Sequence, residues 1–238
     1  KEGPGITYYR DQLFKAMVRA VKAVEDSDEP VPARFENVLR EYQKMGFRWM
    51  KTLDKCGFGG ILADDMGLGK TIQVIALFED VYSRGEKAPS LVVCPASLVY
   101  NWEQEIQKFA PDLKVRSVVG TGPQRLELLE KIKEDPSGCQ ILITSYDLLR
   151  RDIEQYQNLT FDYQIIDEAQ FIKNATTKAA QAVKQINSRF RLALTGTPVE
   201  NRLGELWSIF DYLMPGFLFG SQFFKREYEI PIVREGDG

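Results

Sequence analysis

The sequence contains no histidine, and this absence excludes several kinds of chemistry. A Ser-His-Asp triad needs an imidazole as its general base, and many zinc sites use histidine ligands. Cysteine is also scarce, and the spacing of Cys56, Cys94 and Cys139 fits no metal site. We interpret all three as reduced thiols, with Cys94 and Cys139 beside apolar runs of the core.

A long apolar run and a strong net charge are absent as well. Every apolar run is far shorter than the roughly 20 residues that span a membrane, and nothing near Lys1 resembles a secretory signal. The net charge is −3 for 238 residues, so contacts with nucleic acid must be local. We expect a piece of a longer cytoplasmic protein that has no membrane partner.

The sequence does contain a regular alternation of short apolar runs and helical patterns. Such an alternation predicts an α/β fold in which a mostly parallel sheet carries helices on both faces. The predicted strands are GGILADD, SLVVCP, LKVRSVV, CQILITS, DYQIID and RLALTG. The predicted helices are Tyr8–Val24, Val38–Leu53, TIQVIALFEDVYSR, SLVYNWEQEIQKF, PQRLELLEKIKED and TKAAQAVKQI.

The polar residues with chemical potential follow the predicted strands. In a parallel sheet, functional groups gather at the carboxyl ends of the strands. The residues that end or follow these runs are Asp64, Pro95, Thr144, Asp167 and Thr195. We therefore expect one site at this edge of the sheet.

The segment ILADDMGLGKTIQ has the features of a phosphate-binding loop that leads into a helix. Gly67 and Gly69 allow a tight turn that brings backbone N–H groups close to phosphate oxygens. Lys70 would contact the β- and γ-phosphates, and the hydroxyl of Thr71 would bind Mg²⁺. The alternative is a glycine-rich turn between strand and helix that has no ligand.

The loop departs from the general phosphate-loop pattern at its first position. That pattern begins with glycine, whereas this sequence has Asp64, followed by a second acid, Asp65. We expect both carboxylates to point away from a triphosphate, because like charges repel.

The run DYQIIDEAQ places two adjacent acids after another buried-type strand. Asp167 would hold the Mg²⁺ shell, and Glu168 would orient or deprotonate the attacking water. The alternative is an acidic pair on a solvated turn.

These segments together resemble a known family. DDMGLGKT, DEAQ and TGTP resemble motifs I, II and III of superfamily-two helicases. LREYQKMGFRWM, VVCPASLVYNWEQE, ILITSYDLLRRD and LALTGTPVENRLGELWSIFDYLMPGFL resemble further segments of the Swi/Snf-type DNA translocases, the sucrose-nonfermenting family. The resemblance covers about Leu39 to Phe219 and departs from the family in Asp65, where Glu is usual, and in Gln170, where His is common.

The resemblance implies a RecA-like, three-layer α/β lobe at residues 35–220. Residues 1–34 would form a helical extension and linker, and residues 221–238 would lead toward a second RecA-like lobe. Because the sequence ends at Gly238 without such a lobe, the chain would lack the arginine fingers of the family. We expect a monomer that binds ATP weakly and hydrolyses it very slowly.

The resemblance also assigns roles to individual positions. Gln43 would read adenine, and Thr195 would help to couple nucleotide state to the grip on DNA. The ATP-binding loop would comprise Asp65, Met66, Gly67, Leu68, Gly69, Lys70 and Thr71. The residues implied to contact the DNA backbone are Pro95, Ala96, Ser97, Thr144, Ser145 and Tyr146, and those implied to couple the lobes are Gln170, Thr195, Gly196 and Thr197.

The implied function is that of the ATP-binding lobe of a DNA-dependent ATPase. Such a motor would use ATP and Mg²⁺ to move along double-stranded DNA and to displace proteins bound there. A bacterial source would associate it with the nucleoid, and a eukaryotic one would place it in the nucleus. Two alternatives remain: a strand-separating or restriction-type helicase motor, and a nucleotide-dependent scaffold that does not hydrolyse ATP.

Several large or basic side chains have two interpretations. Trp49, Trp102 and Trp207 fit core anchors better than base-stacking residues because of their helical spacing. Arg125 and the Arg150–Arg151 pair could bind phosphate, but isolated basic residues on helices are usually solvated.

Overall fold

A computed structural model of the protein describes residues 29–63, 69–85, 87–196 and 203–216. The predicted helix Tyr8–Val24 and the connection at residues 221–238 lie outside these residues. Within them, the chain forms eight α-helices and a six-stranded sheet. The strands are β1 (Gly60–Ala63), β2 (Ser90–Cys94), β3 (Val115–Ser117), β4 (Ile141–Ser145), β5 (Thr160–Ile166) and β6 (Asn187–Thr195). The helices are α1 (Glu41–Cys56), α2 (Lys70–Ser83), α3 (Val99–Phe109), α4 (Gly122–Glu134), α5 (Tyr146–Arg151), α6 (Ile153–Tyr156), α7 (Lys178–Gln185) and α8 (Leu203–Leu213).

The sheet has the order β1-β6-β5-β2-β4-β3, and all of its paired strands are parallel. The predicted α/β class is therefore confirmed, and each of the six predicted strands is present. β2 and β4 are buried along their whole length, as expected for strands covered on both faces.

Two apolar cores lie on the two faces of the sheet. Successive strand residues point to opposite faces, so Val92 and Cys94 enter the core with α1, α2 and α3, whereas Leu91 and Val93 enter the other core. The second core includes side chains from α4 to α8. Helices therefore cover both faces of the sheet.

Some boundaries differ from the prediction for local reasons. α1 begins three residues later than predicted because Arg40 and Gln43 form its N-terminal cap, and it ends at Cys56, before Gly57, whose φ of 72° is left-handed. β6 begins at Asn187, before its apolar run, because its polar first residues pair with the start of β5. α5, α6 and α8 were not predicted as separate helices.

Helix lengths in the described part of the chain are moderate. No helix there is both long enough and apolar enough to cross a membrane.

Candidate active site

The carboxyl ends of three neighbouring strands bring the predicted site together. Ala63, the last residue of β1, is paired with Thr195, the last residue of β6. On the other side of β6, Ile166 of β5 is paired with Ala193, and Asp167 follows directly. The phosphate-loop segment and the acidic pair therefore flank β6.

The end of the phosphate loop has the backbone that anion binding requires. Gly69 has a φ of 73° and precedes α2, which begins at Lys70. A Cβ atom at Gly69 would lie 2.4 Å from Nε2 of Gln43, so the Gln43 side chain would have to move, and the positive φ itself favours glycine. The N-terminal N–H groups of α2 open toward the same region as Lys70 and Thr71. Asp64, Asp65, Met66, Gly67 and Leu68 lie outside the described residues.

Gln43 lies beside this loop and is buried. Its Oε1 accepts a hydrogen bond of 2.9 Å from the backbone N–H of Arg40, which caps α1. Its amide nitrogen is the group that approaches Gly69. The predicted adenine-reading residue is thus held next to the phosphate loop.

Both carboxylate oxygens of Asp167 are held by donors within the lobe. Oδ2 accepts from the indole N–H of Trp102 at 2.9 Å, and Oδ1 accepts from the backbone N–H of Glu168 at 2.8 Å. Burial raises the pKa of Asp167; these two hydrogen bonds and the charge of Lys70 act against that rise, and the charge of Glu168 adds to it. A cation bound here would favour the ionised carboxylate.

Glu168 has the only positive φ among the described non-glycine residues, 51°. Its side chain accepts a hydrogen bond from the amide nitrogen of Gln170. The amide oxygen of Gln170 in turn accepts from the hydroxyl of Thr195 at 3.3 Å. The predicted water-orienting residue is therefore linked through Gln170 to the end of β6, as a coupling role requires. Gly196 follows as a half-buried residue, and Thr197 lies outside the described residues.

The predicted DNA contacts divide into two groups. Ala96 and Ser97 are exposed, and with the half-buried Pro95 they form a 3₁₀ turn between β2 and α3. In the second group, the side chains of Thr144, Ser145 and Tyr146 are buried.

These three buried side chains have partners inside the lobe. The hydroxyl of Thr144 donates to the carbonyl of Val118 at 3.3 Å, and that of Ser145 accepts from Leu148 N–H at the start of α5. The hydroxyl of Tyr146 donates to the backbone carbonyl of Asp167 at 2.6 Å. These three side chains therefore have structural roles within the lobe, and their contact with DNA stays a prediction.

The alternatives for the large and basic side chains are also resolved by burial. Trp102 and Trp207 are buried and Trp49 packs against a core, as the core interpretation predicted. Arg125 is not solvated: it is buried and makes a bidentate ion pair with Asp152, at 2.6 and 2.9 Å. The sequence interpretation missed the hydrogen bond from Trp102 to Asp167. The sequence indicated only that a buried indole N–H needs some hydrogen-bond acceptor, and it did not identify that acceptor.

Comparison with known proteins identifies the family. The family described as "SNF2-related domain" matches residues 42–238 of this sequence. The chain belongs to the SNF2-related family. The family that the sequence motifs resemble is therefore confirmed.

Among curated proteins, SNF2-type relatives come from bacteria and eukaryotes. An uncharacterized ATP-dependent helicase of Mycoplasma genitalium is 46% identical over 194 residues, which is 81% of this chain and 18% of that protein. The TATA-binding protein-associated factor mot1 of Schizosaccharomyces pombe is 40% identical over 240 residues, 96% of this chain and 12% of that protein. The chain thus spans a small part of each of these relatives.

A solved SNF2 structure shares the fold. The Sulfolobus solfataricus SWI2/SNF2 ATPase core in complex with dsDNA is 46% identical, with a TM-score of 0.74 over 82% of this chain and 40% of that one. A second structure, the Sulfolobus solfataricus SWI2/SNF2 ATPase core domain, gives a TM-score of 0.72 at 43% identity over 87% of this chain and 40% of that one. The described lobe therefore has the RecA-like fold of an SNF2 ATPase core.

Proposed function

We propose that this chain is the ATP-binding lobe of a DNA-dependent ATPase that moves along double-stranded DNA and displaces proteins bound to it. The observation that supports this proposal most directly is the site at the carboxyl ends of β1, β6 and β5. There the buried carboxylate of Asp167 is within electrostatic reach of Lys70, and Glu168 is linked to Thr195. A phosphate-binding lysine, a metal-binding carboxylate and a water-orienting carboxylate are the parts that phosphoryl transfer to water needs.

Lys70 and the start of α2 would bind the triphosphate. The positive end of the helix and the lysine ammonium both favour anions, and Gly69 lets the backbone approach them closely. The side chain of Gln43, next to Gly69, is placed to meet the nucleotide at the same loop. The oxygen of its amide group accepts from the Arg40 N–H, and the nitrogen faces Gly69.

The residues at the site fit an Mg²⁺ ion that is shared with the nucleotide. Asp167 offers a fixed carboxylate and Thr71 a hydroxyl, both hard oxygen ligands. Among the described residues, no group of three or more acidic or cysteine side chains converges to bind a metal alone, so phosphate oxygens would complete the shell. When bound, Mg²⁺ would neutralise the charge that develops on the phosphate oxygens.

Glu168 would position the attacking water. Its backbone is left-handed, with a φ of 51°, and the Gln170 amide donates to one of its carboxylate oxygens. Through Gln170, a movement of Glu168 would be transmitted to Thr195 at the end of β6, the strand between the phosphate loop and the acidic pair.

The exposed turn at Ala96 and Ser97 would contact the DNA backbone. Short side chains and free backbone groups contact phosphate and sugar without reading bases. The solved relative is described in complex with dsDNA, which supports a duplex as the substrate of this lobe. Because few cations are involved, binding by the lobe alone would be weak and only moderately salt-dependent.

Hydrolysis by this chain alone would be very slow. The chain covers 40% of the solved ATPase core, and the resemblance implies arginine fingers in the part it does not cover. An arginine finger accounts for about 10³–10⁵ in rate in related enzymes. The arrangement of Lys70, Asp167 and Glu168 would therefore reach full activity only in the longer protein.

The test is an ATPase assay on the longer protein with duplex DNA, single-stranded DNA and no DNA. We expect stimulation by duplex, and we expect Lys70→Ala to abolish it because the triphosphate loses its main cation. Lys87→Ala is the matched control, since this exposed lysine lies between α2 and β2, away from the carboxyl edge.

Two other results of this assay would indicate a different function. Stimulation by single strands alone would indicate a strand-separating motor. ATP binding without turnover under all three conditions would indicate a scaffold. Either result contradicts the proposed translocation.

A further inference from the structure

Trp102 combines complete burial with a polar contact to the site. Its indole is 1% exposed, and its only polar group, the N–H, donates to Oδ2 of Asp167. An indole nitrogen can donate and cannot accept, so this bond has a single direction. Together with the N–H of Glu168 on Oδ1, it fixes the rotation of the carboxylate. The remaining lone pairs of the carboxylate are then available to a cation.

The helix that carries Trp102 begins at the exposed turn. The Ala96–Leu98 turn continues directly into α3, and Trp102 lies in the first turn of that helix. Val99, Trp102 and Ile106 form the buried stripe of α3. A shift of the Ala96–Leu98 turn would therefore move the indole together with the helix.

A second segment holds the backbone of the same residue. Tyr146 begins α5, and its hydroxyl donates to the Asp167 carbonyl at 2.6 Å. The ring of Tyr146 stacks on Phe171, with centroids 5.1 Å apart and planes 3° apart, and Phe171 is half exposed. The side chain and the main chain of Asp167 are thus held from two different segments.

We propose that Trp102 is a positioning residue that sets the metal-binding geometry of Asp167 and links it to the exposed Ala96–Leu98 turn. Tyr146 supports the same residue through its backbone. DNA that binds to the turn would then shift the position of the Asp167 carboxylate, which would hold Mg²⁺, while the sheet stays in place. This inference rests on the proposed ATPase function and adds a residue that acts through Asp167.

The test uses the longer protein with Trp102→Phe, which keeps an aromatic ring and removes the N–H. The half-saturating Mg²⁺ concentration of duplex-stimulated ATP hydrolysis is measured at fixed ATP. We expect it to rise about tenfold, because a hydrogen bond to a charged group of roughly 1.5 kcal/mol is lost. Duplex affinity measured without nucleotide should be unchanged. A merely structural role would not separate these two quantities.

Trp49→Phe is the matched control. Trp49 lies in α1, packs against the same core and makes no hydrogen bond to Asp167. The half-saturating Mg²⁺ concentration of Trp49→Phe should therefore match that of the wild type. If Trp102→Phe folds and needs no more Mg²⁺ than Trp49→Phe, the role of Trp102 is overturned. If the wild-type protein hydrolyses no ATP under any condition, the proposed function is overturned, and this inference fails with it.

Tyr146→Phe provides a second variant if Trp102→Phe does not fold. We expect a rise of about threefold to fivefold in half-saturating Mg²⁺, because a neutral hydrogen bond of roughly 1 kcal/mol is lost. Tyr212→Phe is its control, since the Tyr212 hydroxyl also donates from a buried ring to a carbonyl of β5, that of Gln164. Equal Mg²⁺ requirements in the two tyrosine variants would contradict the link through Asp167.

Discussion

The ammonium of Lys51 lies 2.6 Å from the carboxylate of Asp80, and both side chains are buried. This ion pair joins α1, which carries Gln43, to α2, which begins at Lys70. Asp80 also accepts from Arg84 at 2.7 Å, and Arg84 is half exposed. The two helices that line the nucleotide loop are therefore held together through one carboxylate.

This arrangement predicts unequal effects of removing the two charges. Asp80→Asn leaves the buried ammonium of Lys51 without a carboxylate, and we expect a loss of about 3–5 kcal/mol in the free energy of unfolding. Lys51→Met leaves Asp80 paired with Arg84, so we expect a smaller loss of roughly 1–2 kcal/mol. Chemical denaturation of each variant measures both values. Equal losses would show that Arg84 does not compensate Asp80.

Gly69→Ala should impair nucleotide binding more than folding. An alanine at a φ of 73° costs roughly 1 kcal/mol, and its Cβ would also lie 2.4 Å from Gln43 Nε2. We expect ATP affinity to fall at least about tenfold, the equivalent of roughly 1.4 kcal/mol. Titration with a fluorescent ATP analogue measures it.

Gly57→Ala controls for the backbone strain alone. Gly57 has a φ of 72°, and a Cβ there would meet nothing within 4 Å. We expect a similar loss of stability with unchanged ATP affinity. If both variants bind ATP equally poorly, the clash with Gln43 is not the cause.

Thr195→Val should slow hydrolysis without weakening ATP binding. Valine has nearly the same shape but lacks the hydroxyl that donates to Gln170, so Glu168 loses part of its orientation. We expect kcat of the longer protein to fall about fivefold with little change in KM, since one hydrogen bond contributes roughly 1 kcal/mol. Thr52→Val, which removes a hydroxyl bonded to the Arg48 carbonyl in α1, should leave kcat unchanged.

Cysteine labelling tests the two cores independently of function. Burial raises the pKa of Cys94 to about 12 and that of Cys139 to about 11, so neither forms a thiolate near pH 8, whereas Cys56 is exposed. Iodoacetamide at pH 8 should therefore modify Cys56 in the folded protein, and Cys94 and Cys139 only after denaturation. Mass spectrometry of peptides reads the sites. Rapid modification of folded Cys94 would contradict the packing of β2.

Much of the fold follows from local patterns in the sequence. The runs around Ile143 and Ile165 are largely apolar, and the strands they form are buried at every position except Thr160, as expected for strands covered on both faces. Gly69 and Asp167 fall at strand ends where a parallel sheet places its chemistry. These features depend on neighbours in sequence, and so they could be predicted.

The contacts that organise the site depend on pairing between distant segments. Trp102 and Asp167 are 65 positions apart, and Arg125 and Asp152 are 27 apart. A helical pattern predicts that Trp102 is buried, but only the packing of α3 on the sheet selects its acceptor. Tyr146 was expected at DNA because of its motif, whereas the turn from β4 into α5 directs its hydroxyl to Asp167.

The position of β6 between β1 and β5 has a consequence for how nucleotide state can be sensed. Neighbouring strands are about 4.8 Å apart, so two spacings hold the loop and the acidic pair roughly 10 Å apart across the sheet. Backbone hydrogen bonds between the paired strands hold that interval, so we expect it to be the same with a triphosphate or a diphosphate bound. Because the distance between the loop and the acidic pair would not change, the loss of a γ-phosphate would leave an empty space next to Glu168 and Thr195.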